Sequence, residues 1–166
     1  MRGGSRLRNR PGQVLTPSGS PPPVVFHTLP RPVQVPGRKR ILFVCIGNSC
    51  RSQMAEGFAK AYGHDILEVH SAGLSPAAIV QEGTHQTMAG RGVRLEGQHP
   101  KGIEMMMRQP FDVVVNMSGE QLPRMQSPRI LEWKVRDPIG RSDEVYQEVA
   151  EQIENLVKGL IAELRL

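Results

Sequence analysis

From Arg40 onward, apolar positions fall into two kinds of run that alternate along the chain. Ile41–Leu42–Phe43–Val44–Cys45 is continuously apolar, the signature of a parallel strand buried on both faces. Over Arg51–Tyr62 the apolar residues instead recur at helical spacing. Met54, Ala55, Phe58 and Ala59 share one side, Lys60 lies opposite, and Gly63 supplies the stop. A second strand is predicted over Ile66–Ser71, closed by Ala72–Gly73, and a helix over Val80–Ala89 that ends at Gly90. Ile103–Met107 reads as a further helix bracketed by Pro100 and Pro110. Val113–Val114–Val115–Asn116–Met117 is a third strand, Gly119–Met125 a helical turn, and Ile130–Trp133 a short fourth strand. Asp137–Pro138–Ile139–Gly140 is a turn by composition. Ser142 caps a last helix carrying Val145, Val149, Ile153, Val157, Leu160 and Ile161 on one stripe. The expected fold is α/β: a single three-layer domain whose four-stranded parallel sheet is flanked by helices. Ligands of such sheets bind beyond the carboxyl ends of the strands, where the segment after Cys45 falls.

Composition divides the chain in two. Residues 1–40 hold eight Lys/Arg, no Asp/Glu, and eight of the 14 prolines. That composition predicts a disordered Pro/Arg-rich leader over 1–39, ahead of a catalytic domain over 40–166. The remaining 126 residues carry 13 basic and 16 acidic groups, so the formal charge of +5 belongs to the leader. Nucleic-acid binding is therefore not expected of the domain. Pro21–Pro22–Pro23 breaks the amphipathic helix of a transit peptide, and no apolar run suits a secretory signal or a membrane span, so the leader reads as a tail without a targeting role. Two cysteines are too few to staple a secreted scaffold, and a reducing cytoplasm suits them best. Cys45-x4-Cys50 lacks the ligand count for zinc, and the histidines at 64, 70, 85 and 99 share no metal spacing. No metal or cofactor is expected.

The candidate chemistry lies in Val44–Cys45–Ile46–Gly47–Asn48–Ser49–Cys50–Arg51–Ser52. A strand runs into a tight loop that opens a helix, with cysteine at one end and arginine six residues on. Backbone N–H groups of such a loop point inward and bind anions. The same donors, a helix amino end and an arginine favour the thiolate form of a cysteine. A nucleophile and an oxyanion cradle thus share one spot. The segment lacks the lysine and second glycine of a nucleotide-type phosphate loop.

With these residues, Met54–Ala55–Glu56–Gly57, Ser71–Ala72–Gly73, Phe111–Asp112–Val113–Val114 and Trp133 ahead of Asp137–Pro138, the domain resembles the low-molecular-weight protein tyrosine phosphatase family. That family includes thioredoxin-coupled arsenate reductases. The resemblance implies that Cys45 attacks phosphorus in line and forms a phosphocysteine that water later hydrolyses. Arg51 would grip two oxygens through its planar fork. The N–H groups of Ile46, Gly47, Asn48, Ser49, Cys50, Arg51 and Ser52 would share the remaining charge. Ser52 would hydrogen-bond the sulfur, Asn48 would lock the loop, and Asp137 would be the general acid. Cys50 either traps oxidised Cys45 as a disulfide or is a small packed side chain.

Two branches of the family then compete. Gly47 through Gly57 looks more like the reductases, in which the positions of Asn48, Glu56 and Ser71 help to hold a potassium ion. A reductase relays its disulfide through further cysteines, however, and none follows Cys50: Asn116–Met117–Ser118 stands where that branch carries one. The expectation is therefore a phosphatase hydrolysing phosphomonoesters, protein phosphotyrosine or aryl phosphates. Ile139–Gly140 after Asp-Pro does not match the aromatic pair that flanks a phosphotyrosine ring. Arsenate reductase, with a thiol reductant as partner, is the alternative. A non-catalytic module that only binds phosphate or arsenate is a second one.

Overall fold

The computed structural model describes residues 36–166 and, of those before, Gly19 alone. The leader predicted over 1–39 therefore lies almost wholly outside the described residues. Among the described residues four strands and three α-helices follow in the order β1 (Lys39–Cys45), α1 (Arg51–Gly63), β2 (Leu67–Gly73), α2 (Glu82–Gly90), β3 (Val113–Asn116), β4 (Ile130–Glu132) and α3 (Asp143–Leu164). All strand pairs are parallel, in the order β2-β1-β3-β4. This is the α/β architecture expected from the alternating runs.

The central strand shows why its apolar run is unbroken. Side chains alternate across a strand. Ile41 and Phe43, with Val113 and Val115 of β3, face a core with Met54 and Phe58 of α1, Met88 of α2, and Val149, Ile153 and Val157 of α3. Leu42, Val44 and Val114 face the other way, onto Ile103, Met106, Phe111 and Met125. All these β1 residues are fully buried. The amino end of β1 is closed by Arg40, itself 1 % exposed. Its guanidinium donates to Pro110 O and Gln109 Oε1 at 2.7 Å each, pairs with Glu68 at 3.1 Å, and lies 4.9 Å over the Phe111 ring. A buried cation is tolerable only when its donors are matched in this way.

Three expected elements differ. The helix predicted from Val80 begins at Glu82, because Gln81 is extended and its N–H is taken by Ser49 O at 3.0 Å. Ile103–Met107 forms one 3₁₀ turn over Ile103–Met105. Between Gly102 and Pro110 there are too few residues to offset the cost of nucleating an α-helix. Gly119–Met125 forms no helix: Gly119 has a φ of +75°, Pro123 interrupts the run, and Asn116 Nδ2 holds Glu120 O at 2.8 Å. The last helix is capped as expected, Val145 N–H donating to Ser142 Oγ at 3.4 Å.

The α3 stripe carries the helical side of the core. Ile153→Ala is expected to cost about 2–5 kcal/mol in urea-induced unfolding through the cavity it leaves. Glu151→Ala, on the exposed face, is expected to change stability by less than about 0.5 kcal/mol.

Candidate functional site

The loop Ile46–Cys50 joins β1 to α1, at the carboxyl edge of the sheet. Its geometry follows from where its carbonyl groups go. Cys45 O, Ile46 O and Gly47 O accept from the N–H groups of Leu74, Ser75 and Ala77 at 3.1, 2.8 and 2.9 Å. Asn48 O accepts from Gln53 Nε2 at 2.9 Å. Ser49 O accepts from Gln81 N–H and from Thr84 Oγ1, each at 3.0 Å, and Cys50 O from Met54 N–H at 2.9 Å. Six consecutive carbonyls are thus tied outward. None of the N–H groups from Ile46 to Ser52 finds an acceptor among the described residues. Unpaired donors turned to one side and backed by a helix amino end make an anion cradle.

Two residues shape this loop. Asn48 is the one non-glycine residue with positive φ among the described residues, at +48°, a conformation that asparagine tolerates better than most. Gly73 packs flat against the outside of the loop. A Cβ there would stand 2.7 Å from Ile46 O and 2.8 Å from Asn48 N, contacts that no side chain achieves. Gly73 belongs to the Ser71–Ala72–Gly73 motif, but motif membership alone carries no signal of this contact, which arises from the pairing of Gly73 with Cys45 across β2 and β1.

The side chains expected to act together are brought together. Cys45 Sγ lies 2.9 Å from Ser52 Oγ, and Ser52 Oγ accepts from Asn48 Nδ2 at 2.7 Å. A thiolate at Cys45 has only lone pairs, so the serine hydroxyl then donates to it. Arg51 is nearly buried, and its Nη1 donates to Met117 O at 2.6 Å and Val135 O at 3.1 Å. Those carbonyls, from just beyond β3 and β4, pin one corner of the guanidinium. Among the described residues the remaining edge makes no hydrogen bond, and its Nη2 stands 3.8 Å from Asp137 Oδ2. Asp137 is half-exposed at the rim, its Oδ1 held by Ile139 N–H at 3.1 Å. Ile46, Gly47, Ser49 and Cys50 contribute backbone to the cradle.

Cys45 and Cys50 are both free and both buried. Burial pushes the Cys50 thiol up to about 12, against the pull of the Thr84 hydroxyl and with the charge of Cys45 adding to the rise. Cys50 is therefore protonated at neutral pH and a poor nucleophile. Beside Arg51 a cleft of about 600 Å³ opens along Met117, Ser118, Glu120, Trp133 and Arg136. Met117 N–H bonds Val44 O at 2.7 Å, which places the head of this cleft next to the residue preceding Cys45.

The chain belongs to the low-molecular-weight phosphotyrosine protein phosphatase family, whose model matches residues 40–166. Its relatives narrow this. It is 37 % identical over 134 residues to a glutaredoxin arsenate reductase of Synechocystis sp., covering 76 % of this chain and 98 % of the relative. To an arsenate reductase of Bacillus subtilis it is 33 % identical over 130 residues, covering 72 % and 93 %. Among solved structures, an arsenate reductase in the phosphate binding state superposes with a TM-score of 0.71 at 37 % identity, covering 75 % of this chain and 98 % of that one. The chain is thus similar to enzymes, and the expected phosphomonoesterase is overturned by these reductases. A resolving thiol need not belong to the same chain, so the lack of a cysteine after Cys50 does not by itself exclude a reductase. Of the described helices, none is long and apolar enough to cross a membrane.

Gly73→Ala tests the cradle directly. The added Cβ meets loop backbone and not a side chain that could swing away. Affinity for inorganic phosphate, measured by calorimetry, is expected to fall at least about tenfold with the circular dichroism spectrum unchanged.

Proposed function

We propose that this member of the family is an arsenate reductase that draws its electrons from an external thiol. The observation that carries the reading is the ring of inward N–H groups from Ile46 to Ser52 closing around Cys45 beside the free edge of Arg51. That arrangement suits a tetrahedral oxyanion. The similarity to arsenate reductases favours arsenate over a phosphate ester. The catalytic unit is residues 40–166, the span of the family match.

The chemistry balances with the residues present. Cys45 Sγ attacks As(V), an S–As bond forms, and one arsenate oxygen leaves as water after taking a proton. Asp137, at the rim beside Arg51, is the group placed to supply that proton. Arg51 and the loop N–H groups hold the other oxygens. Ser52 donates to Sγ and lowers the charge that the sulfur must carry when it next acts as a leaving group.

The second step needs two electrons and a thiolate. An attacking sulfur forms an S–S bond with Cys45 while the S–As bonding pair passes to arsenic, which departs as arsenite. Cys50 is poorly suited to be that attacker, since burial keeps it protonated. A thiol of the glutathione class, entering by the cleft at Met117–Ser118, fits better. Glutaredoxin would then reduce the mixed disulfide and return Cys45. The net change is arsenate plus two thiols to arsenite, a disulfide and water.

The test is arsenite formation from arsenate with glutathione and glutaredoxin present. Wild type is expected to turn over. Cys45→Ser should abolish the activity, Asp137→Asn should slow it by about 10²-fold or more, and Cys50→Ser should retain it within a few-fold. Absence of arsenite formation by wild type with glutathione–glutaredoxin and with thioredoxin alike would defeat the proposal. Loss of turnover in Cys50→Ser would instead make Cys50 the resolving thiol.

A further inference from the structure

Behind the loop, on the side away from the cradle, lies a cluster of polar side chains that the proposed chemistry does not use. Glu56 of α1 is 4 % exposed, and Ser71 of β2 and Asn48 are fully buried. A carboxylate in such a place must find counter-charge. Lys60 meets Glu56 Oε1 at 3.1 Å from the half-exposed side of the helix. The inner oxygen, Oε2, accepts from Ser71 Oγ at 2.8 Å. Ser71 Oγ in turn accepts from Asn48 Nδ2 at 2.9 Å and from Lys101 Nζ at 3.3 Å. Lys101 Nζ also donates to His99 O at 3.1 Å, and Lys101 N–H donates to Asn48 Oδ1 at 3.0 Å.

Asn48, Glu56 and Ser71 are the positions at which the resemblance implied a potassium ion. In this chain the oxygens at all three positions already accept hydrogen bonds from the protein, Glu56 Oε1 from Lys60 and Oε2 from Ser71 among them. A hydroxyl has one proton and two lone pairs. Ser71 gives its proton to Glu56, and its lone pairs face Asn48 and Lys101. Asn48 spends both amide protons on Ser52 and Ser71, its Oδ1 accepts from Lys101 N–H, and its own carbonyl accepts from Gln53. His99 O, a carbonyl of the adjoining segment, is shared by Lys101 Nζ and by Gln53 Nε2, each at 3.1 Å. A second cation would also meet the fixed ammonium at close range.

We propose that Lys101 is the built-in cation of this cluster, a positioning residue that balances Glu56 and braces the oxyanion loop through Ser71 and Asn48, so that no free monovalent cation is needed. The backbone holds Lys101 for this purpose. Gly73 N–H donates to Lys101 O at 2.8 Å, and Gly73 and Gly102 form a parallel bridge. The side chain then folds back over its own segment to reach Ser71. Burial draws Lys101 below the usual lysine value while Glu56 pushes it back up and Lys60 lowers it, as expected of an ammonium set into a polar recess. From the backbone of Lys101 a donor chain runs through Asn48 and Ser52 to a Cys45 thiolate: Lys101 N–H to Asn48 Oδ1, Asn48 Nδ2 to Ser52 Oγ, and Ser52 Oγ to Cys45 Sγ. The loop conformation and the ligand of the thiolate thus share one support.

The test reads anion affinity, so it stands or falls separately from the arsenate reductase assignment. Inorganic phosphate binding to the full chain is measured in potassium, sodium and choline chloride at equal ionic strength. Wild type is expected to bind within about twofold in all three, with the same thermal midpoint. Lys101→Met should bind about tenfold more weakly in choline and regain most of that loss on adding potassium or methylammonium. Lys60→Met, which removes the outer partner of Glu56, should show no such rescue. Lys101→Arg, which keeps a cation, should stay indifferent to the salt. The proposal is overturned if wild-type affinity or thermal midpoint falls in choline, or if Lys101→Met binds like wild type there. It is equally overturned if Lys101→Met weakens without rescue. Should Lys101→Met fail to fold, the wild-type and Lys101→Arg salt comparisons decide the matter on the same criterion.

Discussion

Everything the site does rests on the outward tethering of six successive carbonyl groups, from Cys45 to Cys50. A peptide plane has its N–H and C=O on opposite edges. Fixing the carbonyls to Leu74, Ser75, Ala77, Gln53, Gln81, Thr84 and Met54 therefore turns the N–H edges the other way. The loop needs no bound anion to acquire this shape, because its partners are supplied by the segment between β2 and α2, by Thr84 of α2, and by α1. The strained element is Asn48, with its positive φ, and it is held by more hydrogen bonds than any neighbour in the loop. A site that must bind charge without reorganising is built by fixing the back of the loop.

Much of this was legible in the sequence, for reasons that can be stated. The continuous run Ile41–Cys45 marked a strand covered on both faces, and the alternation of its side chains between two cores is the physical origin of that run. Cys45, Arg51 and Ser52 were legible because their spacing is set by local geometry: a strand end, one tight loop and the first turn of a helix. Asp137 stands 86 residues beyond Arg51 in the sequence; its composition marks only a turn, and its place beside the loop was implied by the family resemblance alone. What spacing does not encode is contact across the fold. Gly73 against the loop and Lys101 beneath it depend on the register of β2 beside β1 and on the path of the segment around Pro100, neither of which has a local signature. The two misread helices failed similarly. Pro123 and the short Gly102–Pro110 interval weigh against helix more heavily than apolar spacing argues for it.

The count of cysteines illustrates a different failure. Counting thiols in one chain was sound chemistry applied to the wrong boundary. Reduction of As(V) to As(III) needs two electrons, and the enzyme thiol that forms the adduct accounts for only one half of the disulfide. The other half has to come from somewhere, but not from the same polypeptide. Had Cys50 been exposed and ionised, an internal relay would have been the simpler reading. Its burial, with a thiol pushed up to about 12, weighs against that route at neutral pH. The pattern that looked like a defect in a self-contained reductase is then what an enzyme dependent on an external thiol would display.

The same logic of location applies to the cation. A buried Glu56 needs positive charge whichever chemistry the loop performs, and a free ion and a tethered ammonium differ chiefly in entropy and in reach. A tethered ammonium is ordered with the chain and does not have to be captured from solution, so its effective concentration is fixed by the fold. It also offers only donors. Ser71, which accepts from the ammonium, is thereby left with its own proton for Glu56, while Asn48 Oδ1 accepts from the backbone N–H of Lys101 and the amide protons of Asn48 go to Ser52 and Ser71. A metal ion would occupy lone pairs equally well, but it would not link the backbone N–H of Lys101 to Asn48 Oδ1 and its side chain to Ser71 within one residue. That double hold connects the segment around Pro100 to the loop by covalent continuity, and it makes the direction of every proton in the chain leading to Cys45 a consequence of where one lysine sits.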